Sequence, residues 1–421
     1  MTSTTARVLA ARIPFFYGWV ILACAMCASF ARQAAAVATL SIFIVPMTTE
    51  FDWSRSEISG AVSLGGLLAA LISPAVGTLI DRSGARAVLT ISILLIALTV
   101  GSLAMTETLV WFYVAFTFGR MLFASPFDLG TSGAVANWFV RRRALAMSWL
   151  IVATGLSLAV MPLLAQLTID AHGWRAGWVA IALAVLVVGA LPNSVLMVRR
   201  PEDVGLRTDG DAAPLATSAG GLSGSTRADE GLFTRAMALR TPAFWLLMLY
   251  TALIFPVQAG ISLHQAPHLI QRGIDPTTAA LIVGAFAAAA AASSLVFGWL
   301  GGRWPVRFGL SLAAGVTAIA AMFMLGVTSV TGGFCAALLF GSGIGGVLTL
   351  VPVAFAEYFG RLSYGTVRGI ALPVQVVGQA AGPILAGVLY DLGGSYANSL
   401  STFAVLAAGA TVLALFARPP R

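Results

Sequence analysis

The sequence predicts an all-α membrane protein whose twelve transmembrane helices form two pseudo-symmetric six-helix bundles. Three observations carry that prediction. Of 421 residues, 59% are hydrophobic and only 10% are charged, whereas an ordinary soluble domain is about a quarter charged. Apolar stretches of about 20 residues follow one another with short breaks, and each can cross about 30 Å of hydrocarbon as a helix. The chain also repeats itself. GTLIDRSGAR at 77–86 returns as GWLGGRWPVR at 298–307, and the same 221-residue offset carries Pro46 to Pro267, Pro162 to Pro383, Asp170 to Asp391 and Gly173 to Gly394. Internal repeats of this kind mark secondary transporters.

Taken in order, the apolar runs place spans at 17–46, 56–80, 87–106, 109–139, 144–168 and 176–198 in the first half. The second half gives 242–270, 277–301, 308–328, 332–359, 367–390 and 397–417. The domains implied are an N-terminal bundle at 1–198, a linker at 199–240 and a C-terminal bundle at 241–421. The linker passes through a Gly/Ser/Ala-rich stretch of flexible composition. It ends in LFTRAMALRTPAFW, whose Phe233, Met237 and Leu239 alternate with Arg235 and Arg240 as an interfacial helix would.

All 24 basic residues are arginine. With the N-terminus in the cytoplasm, 19 fall on the cytoplasmic side, Arg55, Arg175 and Arg272 fall outside, and Arg32 and Arg120 lie within spans. This positive-inside asymmetry predicts a multi-pass protein of a bacterial inner membrane with both termini cytoplasmic. The net charge of +8 is thus a topology signal. Nucleic-acid binding would need the arginines gathered on a soluble domain.

The run Gly77-x-x-x-Asp81-Arg82-x-Gly84-x-Arg86, between spans two and three, resembles the signature loop of the major facilitator superfamily, and its degenerate copy lies between spans eight and nine. YGW at 17–19, EFDWSRSEIS at 50–59, NWFVRRRALA at 137–146, RPEDVGLR at 200–207 and GPILAGVLYDLGGSY at 382–396 are similar to the bacterial relatives of monocarboxylate transporters and oxalate–formate antiporters. The resemblance implies the major facilitator fold, with two bundles rocking about a central site, and a signature loop that controls alternating access. On the residues themselves, Asp81 can pair with an arginine or cap a neighbouring helix. Gly77 and Gly84 allow close approach and a tight turn. The plainer alternative is that Arg82 and Arg86 only anchor topology. Gly302 replaces Asp81 in the second copy, so the latch is expected on one side.

Charges inside a membrane are costly unless paired or facing a wet cavity. Arg32, followed by Gln33, sits in span one, and Arg120 and Asp128 sit in span four. On one continuous helix the latter two would be about 12 Å apart along the axis and share a broad face. The resemblance implies that spans one and four line the cavity of the first half. A guanidinium can grip a carboxylate through two parallel hydrogen bonds, so Arg32 and then Arg120 are candidates for holding an anion. Asp128 is the candidate proton-coupling group. The alternative for all three is a static ion network that fixes packing.

The second half shows no comparable mid-membrane charge. It offers His264, which can hydrogen-bond a carboxylate, and Gln375 and Gln379 one turn apart, which can donate amide hydrogen bonds or bridge helices. His268 is expected at the interface and Glu357 as a gate or packing charge. The family's basic residues in spans eight and eleven fall near Ser294 and Gln375 here, which favours a monoanion over a doubly charged substrate. Cys24-x-x-Cys27 lies inside span one and reads as apolar packing. GSGIGG at 341–346 lacks a preceding strand and reads as small residues for helix contact.

These features predict a secondary transporter, not an enzyme, with no cofactor and no metal. The expected cargo is a small organic monocarboxylate moved with a proton or exchanged for another anion. Protons and membrane lipid are the other expected partners, the chain acts as a monomer, and no nucleic acid binds. Proton-coupled efflux of a drug or metabolite is one alternative, and a membrane sensor that binds solute without moving it is another.

Overall fold

The computed structural model describes residues 4–53, 55–210 and 233–420. The Gly/Ser/Ala-rich centre of the linker, 211–232, lies outside the described residues. Among the described residues, twelve helical segments are long and apolar enough to cross a membrane. They run Gly18–Phe51, Glu57–Ser83, Ala85–Met105, Leu109–Trp138, Arg143–His172 and Trp174–Val195, then Pro242–Gln271, Thr277–Gly301, Val306–Leu325, Val330–Phe359, Tyr364–Gly393 and Ala397–Phe416. They are numbered as spans one to twelve. A nine-residue helix, Thr4–Arg12, precedes them.

The repeat is metrically close. The helices Arg143–His172 and Tyr364–Gly393, spans five and eleven, both contain 30 residues and begin 221 positions apart. Gly173 ends the first of them and Gly394 follows the second, both at positive φ, 84° and 65°, where only a residue without a Cβ turns without strain.

Contacts along the chain define two compact units. One holds the residues up to Arg142, Ala153–Thr234 and Phe359–Ile370; the other holds Arg143–Val152, Arg235–Tyr358 and Ala371–Arg421. Within the first unit, span two meets the start of span eleven at a pair of glycines. A Cβ on Gly77 would overlap the Gly365 carbonyl, and one on Gly369 would come within 2.7 Å of the Ser73 carbonyl oxygen. Within the second unit, the repeat makes the corresponding contact. A Cβ on Gly298 in span eight would come within 2.9 Å of the Ala144 carbonyl oxygen at the start of span five, and Ser294 donates to the Ser148 carbonyl at 3.4 Å. Small residues at both contacts let the backbones approach closely. In span ten the GSGIGG run does the same work, with Gly341 and Gly345 set against the backbone of Phe286 and Ala290 in span eight.

The described part of the linker is ordered against the first unit. Trp138 Nε1 donates to the Val198 carbonyl at 3.1 Å. The Asp209 carboxylate accepts from the backbone N–H groups of Val140 and Arg141, at 3.0 and 2.7 Å, just ahead of span five. Before span seven, Arg235–Leu239 forms a short helix. Asp275 caps span eight by accepting from Thr277 N and Thr278 N at 3.1 and 3.0 Å. The Thr278 side chain and then its backbone N–H, both hydrogen-bonding the carboxylate, hold Asp275 below the ordinary carboxylate range.

Candidate functional site

Two of the apolar spans are broken, and the breaks lie beside the buried charges. Span one is a helix from Gly18 to Arg32, a turn of 3-10 helix at Gln33–Ala35, extended backbone at Ala36 (ψ 153°), and a second helix from Val37 to Phe51. Thr39 stabilises the break by donating its hydroxyl to the Gln33 carbonyl at 2.7 Å. Span four is two helices, Leu109–Ala124 and Pro126–Trp138, with Ser125 between them outside helical geometry. Pro126 has no N–H to continue the ladder and restricts the residue before it, which explains the break. Asp128 therefore sits in the first turn of a new helix, where the positive end of the peptide dipoles favours a carboxylate. The continuous-helix spacing expected between Arg120 and Asp128 does not apply.

The two breaks bring the charges of the first half together. Arg32 Nη1 lies 3.6 Å from Asp128 Oδ1. Arg32 and Arg120 both stand over the Phe123 ring, 4.4 and 4.2 Å from its centroid, an arrangement in which the ring face attracts each guanidinium. Arg120 also donates to the Ala35 carbonyl at 3.4 Å, a group exposed by the break in span one. Arg32 thus faces the carboxylate, while Arg120 is tied to the backbone.

A third guanidinium completes the cluster and was not among the expected site residues. Arg368 of span eleven, 2% exposed, reaches Asp128 Oδ2 at 3.5 Å. Counted by sequence among the loop-side arginines, it is buried instead. The second half, expected to show no comparable mid-membrane charge, contributes this buried guanidinium near the start of span eleven, and the contact lies within the first unit. Asp128 keeps 23% of its side chain exposed and Arg32 keeps 16%, so the pair is not sealed from solvent.

The loop residues gather at the other end of span eleven's first turn. Asp81 Oδ1 accepts from Gly365 N at 2.9 Å and Oδ2 from Thr366 N at 2.6 Å. Its carboxylate caps the helix that carries Arg368. Arg199 donates to the Asp81 carbonyl, and its stem packs against Gly84, whose φ is +83°. Arg86 donates through Nε and Nη2 to the Ser194 carbonyl at 3.1 and 2.6 Å. Arg82 is exposed.

The remaining expected polar residues belong to the second unit. His264 engages both ring nitrogens, Nδ1 with Tyr396 Oη and Nε2 with the Pro383 carbonyl, each at 3.2 Å. A carbonyl only accepts, so Nε2 carries the proton and Nδ1 accepts from the Tyr396 hydroxyl. Gln379 donates to Gln258 at 3.3 Å, bridging spans eleven and seven, and Gln375 is buried. His268, expected at the interface, is 2% exposed, with Nε2 2.9 Å from the Met324 carbonyl. Ser294 is fully buried and holds helix contacts. Cys24 is buried in the packing of span one, and its thiol and that of Cys27 are free.

Comparison with known proteins agrees with this architecture. The family model described as Major Facilitator Superfamily matches residues 21–372 and 261–421. The chain is 27% identical over 403 residues to monocarboxylate transporter 11 of Homo sapiens, covering 91% of this chain and 79% of that protein. It is 25% identical over 381 residues to the 3-(3-hydroxy-phenyl)propionate transporter of Escherichia coli K12, covering 86% and 85%. Among solved structures, that of the human organic anion transporter MFSD10 (TETRAN) superposes with a TM-score of 0.71 at 16% identity, covering 96% of this chain and all of the other, a likeness of fold.

Proposed function

The chain belongs to the Major Facilitator Superfamily, and on that premise we propose that it moves a small organic monocarboxylate, with a proton or in exchange for another anion. The observation that carries this reading is the pairing of Arg32 and Arg368 on opposite oxygens of one carboxylate, Asp128. Arg32, Arg120 and Arg368 outnumber the one carboxylate and leave an excess of positive charge in an apolar interior. Such an excess is costly there, and a carboxylate ligand offsets part of it with charge-assisted hydrogen bonds. Arg120, tied to the Ala35 carbonyl, positions the break beside Arg32.

The same geometry favours proton coupling through Asp128. A proton on Asp128 removes its hold on both guanidiniums and frees them for the substrate carboxylate. Release of the substrate returns the guanidiniums to Asp128 and expels the proton. Relatives named for monocarboxylates and for an aromatic propionate fit this substrate class. The arginine asymmetry of the loops supports a cytoplasmic membrane with both termini inside.

The test is uptake of a panel of labelled monocarboxylates into proteoliposomes, with and without an inward proton gradient. Accumulation of at least one acid that responds to the gradient or to trans anion is expected. A chain that binds a carboxylate yet shows no counterflow is a sensor, and one that moves only cations or neutral drugs is an efflux protein; either result overturns the proposal.

A further inference from the structure

A second cluster of arginines lies in the first unit, away from Asp128, around a cavity of about 740 Å³. Its wall carries Arg7 of the N-terminal helix, Arg86 at the start of span three and Arg199 beyond span six, with Ser83, Thr90 and Asp203. Two of the guanidiniums are fixed in place, Arg86 by the Ser194 carbonyl and Arg199 by the Asp81 carbonyl. Thr90, on the same wall, carries a hydroxyl with no hydrogen-bond partner among the described residues. The helix Ala85–Ser102 opens on the same cavity at Gly84, with no side chain capping its first N–H groups. Guanidiniums, a helix start without a side-chain cap and a nearby hydroxyl together suit a phosphate.

The surface leading away from the cavity is apolar on both sides. Spans three and six run antiparallel, one starting and the other ending at the cavity. Ile91, Leu94 and Leu98 follow at helical spacing on span three, and Leu191 and Val187 on span six, all exposed. A soluble phosphate has no use for such ladders, whereas acyl chains lie along them. We propose that this groove is a binding site for an anionic phospholipid, with the headgroup phosphate among Arg7, Arg86 and Arg199 and the tails along spans three and six. The site is separate from the proposed substrate cluster and does not depend on that reading.

The test is native mass spectrometry of the purified full chain, titrated in separate arms with phosphatidylglycerol, phosphatidylcholine of the same acyl chains, and inorganic phosphate. Phosphatidylglycerol is expected to be retained more tightly than phosphatidylcholine. Arg7→Ala, on an exposed helix that leaves the bundle intact, is expected to weaken its retention about five-fold. Thr90→Val is expected to weaken it as well, and Asp203→Asn to strengthen it by removing the competing carboxylate. Equal retention of the two lipids, or unchanged retention in both Arg7→Ala and Thr90→Val, overturns the proposal. Displacement of phosphatidylglycerol by inorganic phosphate overturns it too, in favour of a soluble anion.

Discussion

Arg368 lies 3.5 Å from Asp128, although 240 residues separate them in the chain. The contact joins span eleven to the broken span four and gives Asp128 a second guanidinium opposite Arg32. Removing one partner of a buried ion pair costs about 3–5 kcal/mol, because the other charge is left uncompensated. Asp128 is partly exposed and retains Arg32, so the loss for Arg368→Met is expected at about 1–3 kcal/mol. In a double-mutant cycle with Asp128→Asn, thermal unfolding in detergent should show a coupling of about 0.5–3 kcal/mol. Strict additivity would mean that the two side chains do not interact.

Asp128→Asn keeps the shape of the cluster and removes its titratable group. Anion-for-anion exchange is expected to continue, while accumulation driven by an inward proton gradient is lost. The measurement is uptake of one labelled monocarboxylate under both regimes. Proton-driven accumulation in the variant would return Asp128 to a purely structural role.

The cap between Asp81 and span eleven should act on turnover and spare affinity. Asp81→Ala withdraws the acceptor for Gly365 N and Thr366 N, and loss of such a cap costs about 1–2 kcal/mol. Destabilising the one state that contains the contact by that amount shifts a two-state balance about 5–30-fold. Exchange rate and equilibrium binding are therefore measured side by side, with the rate expected to change and the affinity to hold. A fall in affinity with normal turnover per bound anion would place Asp81 at the substrate instead.

Topology is open to direct labelling. In a chain freed of Cys24, Cys27 and Cys335, single cysteines at Arg12 and Arg418 should resist an impermeant thiol reagent applied to intact cells, and those at Arg175 and Arg272 should react. The reverse pattern would invert the orientation drawn from the arginine distribution.

The twelve spans were legible because hydrocarbon thickness imposes a length and composition that a single sequence displays. Their ends were less so. Span eleven reads from 367 in the sequence, which puts Arg368 at its very end and among the loop-side arginines, whereas the helix begins at Tyr364 and Arg368 is buried one turn in. Hydropathy assigns an arginine near a span end to water by default, and nothing local to Arg368 names a partner 240 residues away. The break after Arg32 was equally hidden, since Gln33-Ala34-Ala35-Ala36 has good helix formers. Pro126 was a visible signal for the break in span four. Gly302 marked the asymmetry of the repeat correctly as sequence, but the carboxylate ahead of span five, Asp209, comes from the linker, where no repeat offset leads to it. His268 shows the same limit. A histidine near a helix end reads as interfacial until the Met324 carbonyl from another span is seen beside it.

The central claim is that Arg32, released from Asp128, grips the carboxylate of the cargo. Equilibrium binding of a transported, labelled monocarboxylate to the purified chain and to folded Arg32→Gln tests it most directly. A hydrogen bond to a charged group is worth about 1.5–3 kcal/mol, so the account predicts affinity at least about tenfold weaker in the variant. An unchanged affinity would contradict it.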